Sequence, residues 1–596
     1  MKLRVASFVA FASLALPLAA QKLPDGYWPP EKAAEILAKT QTVKLAPDLS
    51  KLTDGERECV KHLLAAGNVI QGMYEDARHT EAVGSVAKLR ELHESTGSTA
   101  RTGDLLKLYR LNQGPVAVTL DNRREPFLPV APPTPARNVY PRDATREELD
   151  AFLAKNPAAR AGIQGDRTVV RRATRENLKR DLTTLARFPL VDAMHPGLSG
   201  RLLAQLDAAD PAAFYAVPQS LAYAPETTEL YRLLNLAADA VEADDAEFAR
   251  YLRNRARDLV SDDYESGDAS WVTGRFKRLN AQIGAYETYD DAIYGVKAFQ
   301  SLSLLVRDDE ASARVAKATA GLQAIEDSLP YDHHRRVRDN IPVGVYNVIA
   351  DFGQARGGNT ATILPNDPLM TSRYGRTILL RGNIMKNTAL FANSKAAWDA
   401  AVATEHAPEL LPEGNFHRTL WHEIGHYLGV DRDKGGRPLD VALEGSADSI
   451  EEMKSDLVSL FAVPALREAG YYDEKTARSV YAGGIMRTIQ NVRPLREQPY
   501  QTMQLVQFNW FLDKGVISID PKSARIAIHY DRYHAGVSSL LEEVLAIQRA
   551  GDAKASEAFL TKWTNWEEGL HEAIAKRIRG SQKYRFALMT YEALGD

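Results

Sequence analysis

Apolar residues recur every three and four positions over long stretches of this chain, and that spacing commits most of it to helices packed face to face. "VKHLLAAGNVIQGMYEDARH" (60–79), "ELYRLLNLAADAVEADDAEFARYLRNRARDLV" (229–260) and "VSSLLEEVLAIQRAGDAKASEAFLTKWTNW" (537–566) all carry it. Strand-like material is sparse: "IPVGVYNVIADFG" (341–353), "GRTILLRG" (375–382) and a short "GVISIDP" (515–521). The prolines of "EPFLPVAPPTPARNVYPRD" (125–143) mark an extended connection. The expectation is an α+β protein, mostly helical, with a small β region near the middle. With 596 residues, the chain is long enough for several domains or one large two-lobed body.

Charge and cysteine usage remove several classes of function. The formal net charge is −4 without like-charge tails, so no basic nucleic-acid footprint exists. The densest positive run, "HHRRVR" (333–338), reads as a solvated helix end or loop. A single cysteine, Cys59, rules out an intramolecular disulfide and a cysteine-rich zinc module. It lies in a helical pattern and is expected to be a small core residue, not a nucleophile. The opening "MKLRVASFVAFASLALPLAAQK" has Lys2 and Arg4, then an apolar run, then small residues before Gln21. This is the order of a secretory signal peptide over residues 1–20, too short to span a bilayer comfortably. Position 21 offers no cysteine for lipid attachment. The expectation is a periplasmic or secreted protein with no membrane association after signal cleavage.

One motif carries chemistry. "RTLWHEIGHYLG" (418–429) sets His422 and His426 four positions apart, with Glu423 directly after the first. Residues four apart on a helix lie about 40° from each other, so both imidazoles can reach one zinc ion at about 2.0–2.1 Å. Glu423 flanks the ion's open position, where it can take a proton from an activated water. Asn415 is the expected N-cap and Gly429 the expected stop. The other His-Glu pairs, His93-Glu94 and His571-Glu572, lack a second histidine.

A catalytic zinc needs a third ligand from another element. In "SADSIEEMKSDLVSLF" (446–461), Ile450, Met453, Leu457, Leu460 and Phe461 form one apolar helical face. Glu451 and Glu452 lie on its two flanks, and periodicity does not choose between them. Ser449 with Glu452 also fits a capping box. Two adjacent carboxylates followed by Asp456 beside an apolar stripe are costly without a cation to compensate them. Zinc and histidine N–H donors would do so, with Asp456 accepting from an imidazole.

"HEIGH" followed by "EEMKSD" resembles the paired motifs of the dipeptidyl-peptidase III family, zinc aminopeptidases that release dipeptides from free amino termini. The family's first motif is usually a hexapeptide; here it is the pentapeptide found in some bacterial relatives. The resemblance makes Glu452 the zinc ligand and Glu451 and Asp456 the braces of the histidines. "IGAYETYDDAIYG" (283–295) is similar to a family segment in which a glutamate holds the substrate's amino terminus and a tyrosine assists the tetrahedral intermediate. These map to Glu287 and Tyr289. "ATILPND" (361–367) resembles a stretch whose asparagines grip the bound peptide. Asn366 matches the second of them, and Ile363 replaces the first. Where the family has a histidine that stabilises the transition state, Tyr500 stands here. The resemblance runs from about residue 240 to the end.

What it implies is two lobes around a cleft, one zinc ion per chain on helices of the helical lobe, and a small β region in the other lobe. The expected division is a lower lobe over 21–310, an upper-lobe segment over 311–340, and a lower-lobe sheet over 341–387. The zinc-binding helical lobe follows over 388–535, with C-terminal helices over 536–596. The implied function is hydrolysis of oligopeptides near the free amino terminus, with Glu423 as general base. HExxH does not name the bond cleaved, so a zinc hydrolase of another amide or ester, or a peptide-binding protein with a vestigial metal, stays open on the residues alone.

Overall fold

The computed structural model describes residues 23–337, 342–365, 368–490 and 499–595. The expected signal peptide and Asn366 therefore lie outside the described residues. The chain is 58% helical, with small sheets. Helix α1 (Asp54–Arg78) opens on a full capping box, Thr53 with Glu56, and packs against α2 (Ala224–Val241), which in turn packs on α3 (Ala246–Ser261). Cys59 is buried in α1, as its helical setting predicts.

This helical layer covers one face of a five-stranded sheet. Its strands are β1 (Leu279–Ala285), β2 (Gln300–Arg307), β3 (Val343–Gly353), β4 (Ala361–Leu364) and β5 (Thr377–Arg381), in the spatial order β1-β2-β3-β5-β4. Only the β3–β5 pairing is parallel. The expected strands at 341–353 and 375–382 are β3 and β5, and 515–521 contains a short strand, Ile517–Ile519. β1 and β2 were not foreseen. Both are buried almost along their whole length, so no polar–apolar alternation marks them, and Asn280, Gln282, Ser301 and Ser303 interrupt their apolar runs.

The sheet separates two large cores. Ile378 and Leu380 of β5 face the helical core on one side, and Leu379 faces the core shared with α1–α3 on the other. The helical core is built on α4 (Pro412–Gly425), α5 (Ala447–Phe461), α6 (Glu474–Thr488), α7 (Pro499–Asp513) and α8 (Tyr530–Ala550). Two expected divisions, after 310 and after 535, fall inside the helices Asp309–Ala318 and Tyr530–Ala550. The run at 333–337 is loop, as expected; Arg335 pairs with Asp431 and donates to the Tyr427 carbonyl.

Candidate metal centre

Helix α4 starts at Pro412, whose missing N–H costs nothing in the first turn, with Leu411 as N-cap. Asn415 lies inside the helix and caps nothing; the fixed φ of proline starts the helix one turn earlier. Phe416, Leu420, Trp421 and Ile424 are buried and form the stripe that seats α4 in the helical core. The regular helix ends at Gly425, and His426 continues it at φ −64° and ψ −19°. The four-residue geometry of His422 and His426 is therefore kept, their rings perpendicular at 89° with centroids 5.0 Å apart. Gly429 takes a left-handed φ of 82° one turn beyond, where its N–H donates to the buried Glu326 carboxylate at 2.8 Å.

Helix α5 crosses α4 so closely that a Cβ on Gly425 would lie 2.8 Å from the Ser455 carbonyl oxygen. Lys454, itself fully buried, donates to the carbonyls of Gly425 and Leu428 at 2.6 and 2.9 Å. It thus satisfies carbonyls that the end of α4 leaves open and places a cation at the negative pole of that helix. The alternative reading, a capping box of Ser449 with Glu452, does not form. Helix α5 starts earlier, behind Ser446, and Ser449 is a buried residue in its first turn. Ile450, Met453, Leu457 and Leu460 make the predicted apolar face, and Glu451 and Glu452 leave it in different directions.

That divergence resolves the choice between the two glutamates. Glu451 accepts from His426 Nδ1 at 3.0 Å, and Asp456 accepts from His422 Nδ1 at 2.8 Å. With each Nδ1 held by a carboxylate, both Nε2 atoms turn toward Glu452. Its Oε2 lies 3.1 Å from His422 Nε2 and 3.8 Å from His426 Nε2. His422, His426 and Glu452 form a group able to hold a metal, with ligand atoms within 4.8 Å of one another. Three donors at about 2.0–2.1 Å from one tetrahedral ion stand roughly 3.3 Å apart, which these separations bracket. Glu452 Oε2 is also a buried acceptor without a hydrogen-bond donor. The donor set fits a zinc-type cation.

Electrostatics support the same fit. Burial disfavours the imidazolium of His422, but the carboxylates of Asp456 and Glu452 beside its two ring nitrogens outweigh this and push the pKa up to about 10. A cation at Nε2 replaces that proton, so metal binding there competes with protons. Burial also works against the charged Glu451 and Asp456, yet Lys454 and His426 hold Glu451, and Arg418 and His422 hold Asp456, far below the usual carboxylate range. Arg418, one turn before His422, meets Asp456 at 2.6 Å. It was passed over in the sequence, although the four-residue step to His422 is visible there. Ser455, whose hydroxyl lies 3.0 Å from His426 Nδ1 and accepts from it alongside Glu451, and Gln548, which donates to Glu451 at 2.9 Å, carried no such signal.

The centre opens into a cleft of about 840 Å³ between the helical core and the sheet. Glu423, Glu287, Tyr289 and Tyr500 line it together with His422, His426 and Glu452. Tyr289 is 83% exposed and stands beside Glu287, whose carboxyl is raised by burial. The Tyr500 hydroxyl donates to Glu452 Oε1 at 3.0 Å, a contact that leaves Oε2 for the histidines. Burial and that carboxylate raise the Tyr500 phenol well above its usual pKa, so it stays a donor. On the opposite wall, residues 360–363 bring in the edge strand β4.

No protein-family model matches the chain. Its structure is similar to that of DPP III from Caldithrix abyssi, with a TM-score of 0.78 and 24% sequence identity, covering 94% of this chain and 99% of that one. It is also similar to dipeptidyl-peptidase III from Corallococcus sp. strain EGB, with a TM-score of 0.72 and 23% identity, covering 95% and 97%. Among curated proteins, Nudix hydrolase 3 of Arabidopsis thaliana is 26% identical over 445 residues, 73% of this chain. The chain spans 54% of that relative's length. The fold is therefore the two-lobed fold of dipeptidyl-peptidase III.

Proposed function

We propose that the chain is a zinc-dependent peptidase of the dipeptidyl-peptidase III family, cutting oligopeptides near a free amino terminus. The convergence of His422 Nε2, His426 Nε2 and Glu452 Oε2 beside Glu423 in an open cleft carries this reading. Zinc held by these three residues would supply a Lewis acid and bring the pKa of a water down toward about 7. The Glu423 carboxylate accepts the proton of the attacking water and passes it to the leaving amine. A substrate lies extended along the open edge of β4, where backbone groups can pair as an added strand. Glu287 takes its ammonium group, and Tyr289 donates to the oxygen that gains charge. Tyr500 orients Glu452 through Oε1 and can reach the same oxygen when the peptide is bound. The charged, apolar and small-residue order of residues 1–20 supports export to the periplasm or beyond.

The test is metal content and turnover of a dipeptidyl arylamide, alongside its N-acetylated form. Bound zinc with cleavage of the free amine alone is expected; equal cleavage of both would remove amino-terminal recognition. Glu423→Gln should keep zinc and lose activity by at least about 10²-fold. Full activity in that variant would end the general-base assignment.

A further inference from the structure

Glu287 and Tyr289 sit on a loop, so their use in the reaction proposed above depends on what holds that loop in place. β1 ends at Ala285 and β2 starts at Gln300, and the connection between them carries both residues. Asp291 gives the connection its shape. Its buried carboxylate accepts from the N–H groups of Ile293 at 2.9 Å and Tyr294 at 3.2 Å through Oδ1, and from those of Val296 and Lys297 at 2.9 Å through Oδ2. The Phe299 N–H closes the loop on the Glu287 carbonyl at 3.2 Å. The far end is pinned by Lys297, whose Nζ donates to the Gly165 carbonyl and the Thr168 hydroxyl.

The end that bears Tyr289 is placed by the next residue. Asp290 Oδ2 accepts from the Tyr74 hydroxyl at 2.8 Å and from the Gln354 side-chain amide at 3.1 Å, while Oδ1 pairs with Arg78 at 3.3 Å. Its backbone carbonyl accepts from Arg137 Nε at 3.2 Å. Tyr74 and Arg78 stand four apart on α1, and Gln71, one turn before Tyr74 on the same face, accepts from the Gly353 N–H at 2.8 Å. One face of α1 thus grips both the Tyr289 loop and the end of β3, and Asp290 joins the two directly through Gln354. Gln354 lines the cleft with Glu287 and Tyr289, whereas Asp290, Tyr74 and Arg78 stand behind that wall. The Asp290 side chain is only 15% exposed, so its bonds to one cation and two donors are charge-assisted and weakly screened.

We propose that Asp290 is a positioning residue for amino-terminal recognition, holding Glu287 and Tyr289 at a fixed place against the end of β3 so that the cut falls at one distance from the peptide's amino terminus. This rests on the peptidase reading. The carboxylate acts through its neighbours and touches no reacting atom. With Asp291 still in place, loss of the Asp290 carboxylate leaves the loop formed but free to shift against the sheet. Misplacement of a substrate-positioning group by about 1 Å is enough to cost on the order of 10²-fold.

The test compares the zinc-loaded parent and variants on one peptide in two forms, with a free and with an N-acetylated amino terminus, and identifies the fragments by mass. The parent should favour the free form and cut it at one bond. Asp290→Ala should lower the free-to-acetylated ratio of kcat/KM by at least about tenfold and spread cleavage over neighbouring bonds. Asp290→Asn, which keeps an acceptor for Tyr74 and Gln354, should retain more of the ratio. Zinc affinity should stay within about twofold of the parent, since Asp290 orients no metal ligand. A merely structural role would lower both forms by the same factor, so an unchanged ratio overturns the inference and leaves the peptidase reading standing. Should Asp290→Ala fail to fold, Tyr74→Phe, which removes a single hydroxyl, decides in the same way. Equal cleavage of both forms by the parent would also overturn the inference. Cleavage of neither form would sink the peptidase reading, and binding of the two peptides to Glu423→Gln protein, with and without Asp290→Ala, would then decide the positioning role.

Discussion

Gly425 is where packing and metal chemistry meet, and its replacement by alanine tests whether the helix crossing sets the site. A Cβ there would lie 2.8 Å from the Ser455 carbonyl oxygen and 2.9 Å from the Ser455 Cα, both backbone atoms of α5. Neither can swing aside as a side-chain tip would, so α4 and α5 must part by about 0.5 Å to restore ordinary contact. His422 and His426 ride on α4 and Glu452 on α5, so the separation opens the 3.1 and 3.8 Å gaps between their donor atoms. A workable site tolerates only about 0.2 Å in its ligand distances. Gly425→Ala should therefore weaken zinc binding by roughly 10–100-fold, as loss of an orienting partner does. Overpacking should also cost about 1–3 kcal/mol of stability. Chelator competition measures the first and urea unfolding of the metal-free protein the second. Zinc affinity within twofold of the parent, at unchanged unfolding midpoint, would refute the idea that this close crossing positions the ligands.

Other substitutions probe the supports separately. Lys454→Met leaves the Gly425 and Leu428 carbonyls and the Glu451 carboxylate without their cation, and urea unfolding should show a loss of about 3–5 kcal/mol. Asp456→Asn keeps the shape but removes the charge that Arg418 and His422 share; zinc affinity by chelator competition should fall by about 10–100-fold, and unchanged affinity would show that this carboxylate does not orient His422. Lys297 is buried on the segment that carries Glu287 and Tyr289, donating to Gly165 and Thr168, and burial lowers its pKa to about 7 against Asp291 and Asp166. Between pH 7 and about 10 the unfolded chain holds a proton that the folded one has released, so this group makes stability rise with pH. Relative to Lys297→Met, the parent should gain about 4 kcal/mol in urea unfolding between pH 7 and pH 10, and parallel pH curves would contradict the burial penalty.

What the sequence made legible follows from where each signal is stored. Helical periodicity showed the α-rich architecture because surface helices such as Asp54–Arg78 keep a polar side to contrast with the apolar one. β1 and β2 have no such contrast: both are buried on their two faces, β1 at one edge of the sheet and β2 beside it, and the polar side chains they carry serve a buried row. That row runs Gln282, Ser303, Asp351, Arg381, Thr362, one residue from each of the five strands, and joins residues far apart in the chain. Pairing of this kind leaves no local pattern to read. Asn415 misled for a related reason, since N-cap preference is a local statistic and Pro412 settles the helix start three residues earlier.

The metal site divides along the same line. Spacing within one helix was enough to pair His422 with His426, because a helix repeats its own geometry. The role of each glutamate depended on a second helix, and adjacent positions on α5 point about 100° apart. This is why two neighbouring carboxylates can do different work: Glu452 turns into the cleft toward both Nε2 atoms, while Glu451 passes behind to His426 Nδ1 and Lys454. A single carboxylate could not fill both positions, and a spacing of four would have stacked the two on one face. The adjacency of Glu451 and Glu452 is thus itself the device that aims one acid at the point where the two Nε2 atoms converge and the other at the His426 imidazole behind it. Exchanging the spacing, by Glu451→Gln with Ser455→Glu, should restore neither the brace nor the affinity in chelator competition, because the side chain at 455 already lies 3.0 Å from His426 Nδ1 and a longer acid cannot fit in that gap.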